Sequence, residues 1–181
     1  QARTVNEVLV ATTVDATDDP IVSLCVERGY PYYRGSTQDV LDRYYQAASA
    51  FQVRTIVRIT GDCPMIDPHV IDKTVLAFSN TSAAECDQST VKESSKAWDF
   101  AANRLPPPFK RTYPIGLDIE ICTFAALETA WKEADKPYQR EHVMPYFYED
   151  IDLEETAPGL SLGMSERGFK VLYANYPEDL G

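Results

Sequence analysis

The run R-T-I-V-R-I-T, residues 54–60, passes without a break into Gly61, Asp62, Cys63 and Pro64. Its β-branched residues make it the clearest strand in the chain. A strand that ends on Gly and Asp brings backbone and a carboxylate to one point. In an α/β sheet that point is the crevice beyond the strand's carboxyl end, where ligands bind. Gly61 lets backbone approach a ligand, and Asp62 projects from the tip. A hard divalent cation there takes a carboxylate plus phosphate oxygens, as Mg2+ does at nucleotide sites. The competing account is an Asp-capped turn ahead of Pro64, and the segment alone supports both equally.

The rest of the chain alternates in the same manner. Residues 7–13 form a short apolar run ending in hydroxyl side chains, predicted as a buried parallel strand. Asp18, Asp19 and Pro20 open a helix that Gly29 closes, with Ile21, Leu24 and Cys25 as its inner face. Residues 31–34 are a brief second strand. Gly35 and Ser36 start the next helix, with Ser36 as N-cap, and Val40, Leu41, Tyr44 and Ala47 or Ala48 recur at helical spacing. A helix over residues 68–79 points Val70, Ile71, Val75 and Phe78 inward. Residues 80–97 turn polar and lose periodicity, which predicts an excursion. Residues 98–103 and the alternating 117–122 read as strands on either side of a Pro-rich basic loop, the latter with one wetter face. Helices follow over 125–134 and within 138–150, where Pro145 makes a break, and residues 169–173 close as a strand.

Strands alternating with helices specify a three-layer, Rossmann-like α/β fold with a mostly parallel sheet, in a single domain over residues 1–181. Residues that follow strands then carry function: 12–15, 34–36, 61–64 and 103–111, together with the strand bearing Asp118 and Glu120. The net charge of −11 argues against a nucleic-acid polymer as partner, because such binding rests on clustered Lys and Arg. It leaves room for a nucleotide, since a metal ion mediates between carboxylates and a triphosphate. No apolar run approaches the ~20 residues that span a bilayer, and no signal-peptide pattern opens the chain, so the cytoplasm is the expected compartment. Cys25, Cys63, Cys86 and Cys122 lie far apart, and His69 and His142 are the only histidines, so reduced thiols are expected and a zinc site is not.

Four further constellations have chemical readings beside plain ones. Ser36, Asp39 and Arg43 suit an anion or ribose site at a helix N-terminus, or else a capped helix in which Asp39 and Arg43 pair on the surface. Arg104, Lys110 and Arg111 are cations on a stiff loop that suits a sugar carboxylate or phosphates; the alternative is a solvated linker. Asp118 and Glu120 share one side of a strand, facing either a ligand or solvent. Arg140, Glu141 and His142 form either a site triplet or the anchor of a helix end.

Five motifs in this order carry a resemblance: A-T-T at 11–13, R-G-S-T-Q-D-V-L-D-R-Y-Y-Q-A-A at 34–48, R-I-T-G-D-C-P-M-I-D-P at 58–68, Y-P-I-G-L-D-I-E-I at 113–121 and R-E-H-V-M-P-Y at 140–146. Together they resemble the spore-coat polysaccharide type of cytidylyltransferase-like protein, a group similar to the CMP-ketodeoxyoctonate and CMP-sialate synthetases. The resemblance implies transfer of CMP from CTP to a sugar acid or related sugar, with pyrophosphate leaving, in surface polysaccharide biosynthesis. It implies Mg2+ on Asp62 and catalytic roles for Asp62 and Arg43. Ala11, Thr12, Ser36, Asp39, Arg43 and Gly61 would contact the nucleotide. Asn103, Arg104, Lys110, Arg111, Asp118, Glu120, Arg140 and His142 would face the acceptor sugar. A homodimer is the assembly it implies.

The departures are specific. Relatives open with a strand and a phosphate loop of the form A-R-x-G-S-x-R-x-P-G-K, whereas residues 1–6 here match the end of the helix that follows such a loop. The loop and a central strand are therefore expected to be missing. Residues 174–180, A-N-Y-P-E-D-L, resemble the stretch that carries a second metal aspartate, either with Asn175 in its place or as an earlier segment, the true stretch then being missing. A chain trimmed at both ends, or a degenerate one, is the expectation. The alternatives are a non-catalytic binding or assembly module of the same fold, and a nucleotide-sugar glycosyltransferase.

Overall fold

In the computed structural model, which describes residues 2–80 and 98–176, strands and helices alternate through most of the chain. The order is β1 (Val10–Thr13), α1 (Asp19–Arg28), β2 (Tyr32–Gly35), α2 (Val40–Ala50), β3 (Thr55–Arg58) and α3 (Pro68–Asn80). Then come β4 (Phe100–Ala102), β5 (Glu120–Thr123), α4 (Phe124–Glu133), α5 (Pro137–His142), α6 (Pro145–Tyr148), β6 (Glu154–Ala157), β7 (Leu160–Met164) and β8 (Lys170–Ala174). The predicted excursion at 80–97 lies outside the described residues apart from the end of α3, as does Cys86.

Neighbouring residues on each central strand enter different cores, as the period of two requires. Ile56, Phe100, Ala102, Cys122, Val171 and Tyr173 join one core, packed with α2, α4 and α6 through Leu41, Leu127 and Phe147. Ala101, Ile121, Leu172 and Ala174 join the other, under α3 with Val70, Ile71 and Phe78. Helices on both faces of one sheet make the three layers of a Rossmann-like α/β fold.

The larger sheet runs β3-β5-β4-β8-β7-β6, and β1 and β2 form a separate parallel pair. Four of the larger sheet's strands (β3, β4, β8 and β6) point the same way. Among the described residues, side-by-side parallel pairing in that sheet is confined to β4 and β8, which corrects the expected pairing while leaving the dominant direction intact. The causes are local. The segment after β4 doubles back, so β5 must enter antiparallel between β3 and β4. The tight turn at Pro158 and Gly159, with Gly159 at φ 75°, reverses the chain between β6 and β7. That hairpin is an addition to the strands expected from sequence.

Other boundaries shift for identifiable reasons. Asp39, not Ser36, caps α2: its carboxylate accepts from the Asp42 amide, while the Ser36 hydroxyl accepts from the Asp39 amide one turn earlier. Gly35 is needed where it stands, because an added Cβ would meet Arg43 Cγ at 2.9 Å. Gly29 ends α1 at φ 69°, as predicted, but only Cys25 of its expected inner face is buried; Ile21 is 42% and Leu24 49% exposed. Val143, at φ 69°, separates α5 from α6 just ahead of Pro145. Residues 2–6 are not helical; the Arg3 and Thr4 amides donate instead to Asp72 on α3. The supposed wet face of β5 is dry: Cys122 is fully buried and Glu120 nearly so.

Candidate functional site at the strand tips

Because β5 runs against its neighbours, it begins at the sheet edge where β3, β4 and β8 end. That edge therefore gathers Thr60, Gly61 and Asp62 after β3, Asn103 and Arg104 after β4, Asp118 and Glu120 opening β5, and Asn175 after β8. Asp62 is exposed, and the Thr60 hydroxyl donates to its Oδ1. That hydrogen bond, and then Asp62's own backbone amide, hold the carboxyl below the usual range, so it is ionised at neutral pH. A Cβ built on Gly61 meets nothing within 4 Å, so no close approach within the protein requires glycine there.

The β1–β2 unit presents a second set of groups. Thr12 is buried, and its hydroxyl and that of Thr13 donate to Asp18, each at 2.6 Å. These bonds, led by Thr12, bring Asp18 down to about 2. Ala11 and Ser36 are half-buried beside them. Arg34 spans the two tips, donating to the Thr13 and Asp15 carbonyls at 2.8 Å each. Arg43 donates from Nη1 to the Ser36 carbonyl at 2.7 Å, and its Nε–H is buried without a hydrogen-bond partner among the described residues.

Several residues expected to meet the acceptor are engaged within the protein. The Asn103 amide is fully buried, donating to the Leu117 carbonyl at 2.7 Å and accepting from the Ile119 amide at 2.8 Å. Arg104 pairs with Asp118, which also accepts from the Gly116 amide. Arg140 pairs with Asp39 through Nε and Nη2 and donates to the Trp131 carbonyl, so the expected Asp39–Arg43 pair does not form. Glu120 pairs with Arg58. Lys110, Arg111 and His142 are exposed, and none of them has an ion pair among the described residues.

The Asn175 side chain, after β8, is engaged through both its oxygen and its nitrogen. Its Oδ1 accepts from the Thr112 amide and hydroxyl at 2.8 and 2.7 Å, and its Nδ2 donates to the Lys110 carbonyl at 2.9 Å. An aspartate could not make the last bond, so this position ties down the basic loop and offers no lone pair to a metal. The sequence does not mark Arg58, Tyr44 or Thr60 as groups that build the site, and it marks Asn175 only through its likeness to a metal-aspartate stretch. Only the Thr60–Asp62 spacing, two residues apart across a glycine, signals its contact in advance.

Among the described residues no three His, Cys, Asp or Glu side chains cluster as metal ligands. A lone ionised carboxylate suits Mg2+, which keeps several waters and takes most of its protein-site charge from substrate phosphates, and it does not suit Ca2+ or Zn2+.

Fold and strand-tip layout place the molecule in the Rossmann-like class whose members bind ligands at the carboxyl ends of their strands. The chain belongs to the cytidylyltransferase family, whose profile matches residues 1–163. It is 36% identical over 180 residues to an uncharacterised protein of Methanocaldococcus jannaschii, covering 99% of this chain and 59% of that one. It is 35% identical over 150 residues to the spore coat polysaccharide biosynthesis protein SpsF of Bacillus subtilis, covering 83% of this chain and 57% of that one. Among solved structures, a cytidylyltransferase from Leptospira borgpetersenii superposes with a TM-score of 0.61 at 35% identity, covering 76% of this chain and 51% of the other. The chain thus spans between half and three-fifths of the length of these relatives. No described helix is long and apolar enough to cross a membrane.

Proposed function

We propose that the protein transfers CMP from CTP to a sugar acid or related sugar, releasing pyrophosphate, in the synthesis of a surface polysaccharide. The observation that carries this is the exposed, ionised Asp62 on a strand-tip turn at the edge where β4, β5 and β8 also present their polar ends. A sugar hydroxyl oxygen attacks the α-phosphorus; the new O–P bond forms as the bond to the β-phosphate bridging oxygen breaks, and the hydroxyl proton passes to solvent. This chemistry is mostly positioning and charge stabilisation. Asp62 is the group that would hold Mg2+, which when bound neutralises phosphate charge. Arg43 adds positive charge from the N-terminal turn of α2. Lys110 and Arg111, exposed on the loop that Asn175 and Tyr173 pin at the Lys110 carbonyl, are the cations free to meet a sugar carboxylate. Arg104 and Arg140, already paired, shape the site and do not bind in it.

The test uses the protein expressed from its complete gene, incubated with CTP, Mg2+ and a panel of sugar acids. Pyrophosphate is expected with at least one sugar. Its absence throughout, with nucleoside diphosphate released from a nucleotide sugar instead, would make the protein a glycosyltransferase.

A further inference from the structure

Directly beneath the strand-tip turn lies a buried charge pair with no part in the chemistry above. Arg58 ends β3 and stands opposite Glu120, the first residue of β5. Arg58 Nη1 donates to Glu120 Oε2, and the side chains are only 12% and 17% exposed. The Arg58 guanidinium carbon lies 5.5 Å from the centroid of the Tyr44 ring on α2. Tyr148 of α6 is close enough for its hydroxyl to feel both charges. The Arg58 Nε–H is buried without a hydrogen-bond partner among the described residues.

Such a pair adds little net stability compared with two apolar side chains of similar volume, because both charges lose their hydration. What it fixes is direction. A planar guanidinium held at one end by a carboxylate and flanked by a ring has few orientations open to it. Two residues further on is Thr60, whose hydroxyl holds Asp62. Helix α2, which carries Tyr44, also carries Arg43 and is capped by Asp39.

We propose that Arg58 is a positioning residue for the strand-tip aspartate: its contacts with Tyr44 and Glu120 set the end of β3 against α2 and β5, and so fix where the Asp62 carboxylate meets the metal–nucleotide. The inference rests on the cytidylyl-transfer reading.

The experiment compares the complete protein with R58M/E120L, R58K and E120Q, reading thermal midpoint, kcat and the Mg2+ concentration for half-maximal rate. The double variant replaces the pair by apolar side chains and is expected to fold. It should need about tenfold more Mg2+ and turn over about tenfold more slowly, the size of effect seen when groups that orient metal ligands are removed. Arg58→Lys keeps the charge without the planar fork and should fall between. A folded double variant with the parent's kcat and Mg2+ requirement overturns the proposal, because the pair would then be structural only. If the double variant does not fold, Glu120→Gln decides by the same measurement: a raised Mg2+ requirement supports the role and an unchanged one overturns it. A parent that releases no pyrophosphate with any sugar fails at the earlier step, and both readings fall together.

Discussion

Asp62→Asn is expected to lower CMP transfer by the complete protein about 100-fold or more while moving the thermal midpoint by no more than about 2 °C. The two halves of this expectation have separate causes. Asp62 is exposed and its partners, the Thr60 hydroxyl and the Cys63 thiol, lie in its own turn, so the neutral amide costs the fold little. The carboxylate, however, is the one group on this turn with a charge to offer a divalent ion, and no described cluster of acidic side chains stands ready to replace it. Steady-state pyrophosphate release alongside circular dichroism reads both quantities. Retained turnover in a folded Asp62→Asn variant would reduce Asp62 to a turn cap.

The opposite pattern is expected at Asn103. Its side chain bridges the Leu117 carbonyl and the Ile119 amide, and its own amide donates to the Ile119 carbonyl at 3.2 Å. Asn103→Ala leaves the buried Ile119 amide and the part-buried Leu117 carbonyl without these partners, at about 1–3 kcal/mol for the amide and less for the carbonyl before relaxation. The expected net loss is about 2–4 kcal/mol, which for a domain of this size lowers the midpoint by roughly 5–15 °C. Function should suffer through the sugar's KM, because the bridge closes the segment that carries Lys110 and Arg111. Asn103→Asp should restore one bond and part of the stability. A variant that keeps the parent's midpoint and loses only acceptor binding would instead mean that Asn103 touches the sugar.

The strand-tip turn was legible because everything that makes it is local: β-branched residues, then Gly61 and Asp62, within one segment. The helix bearing Arg43 was legible for the same reason, down to its apolar spacing. Partner choice was not. Arg140 lies 101 residues from Asp39 and Arg58 lies 62 from Glu120, so neither ion pair follows from any local pattern. Asp39 and Arg43, four apart, looked like mates; tertiary packing gave each another partner. The fate of Glu120 turned on the direction of β5. With the strand inserted antiparallel between β3 and β4, its polar face is pressed against Arg58 and kept from water. The β6–β7 hairpin did leave a signal, Pro158 and Gly159 between residues 154–157 and 160–164, but Glu154 and Glu155 side by side lack the apolar alternation that marks a strand.

The most direct test of the central claim is calorimetric titration of CTP into the complete protein, with and without Mg2+. One binding event per chain that requires the metal is the predicted outcome. No heat under either condition, or equal binding in the metal's absence, would contradict a magnesium–nucleotide crevice at Asp62.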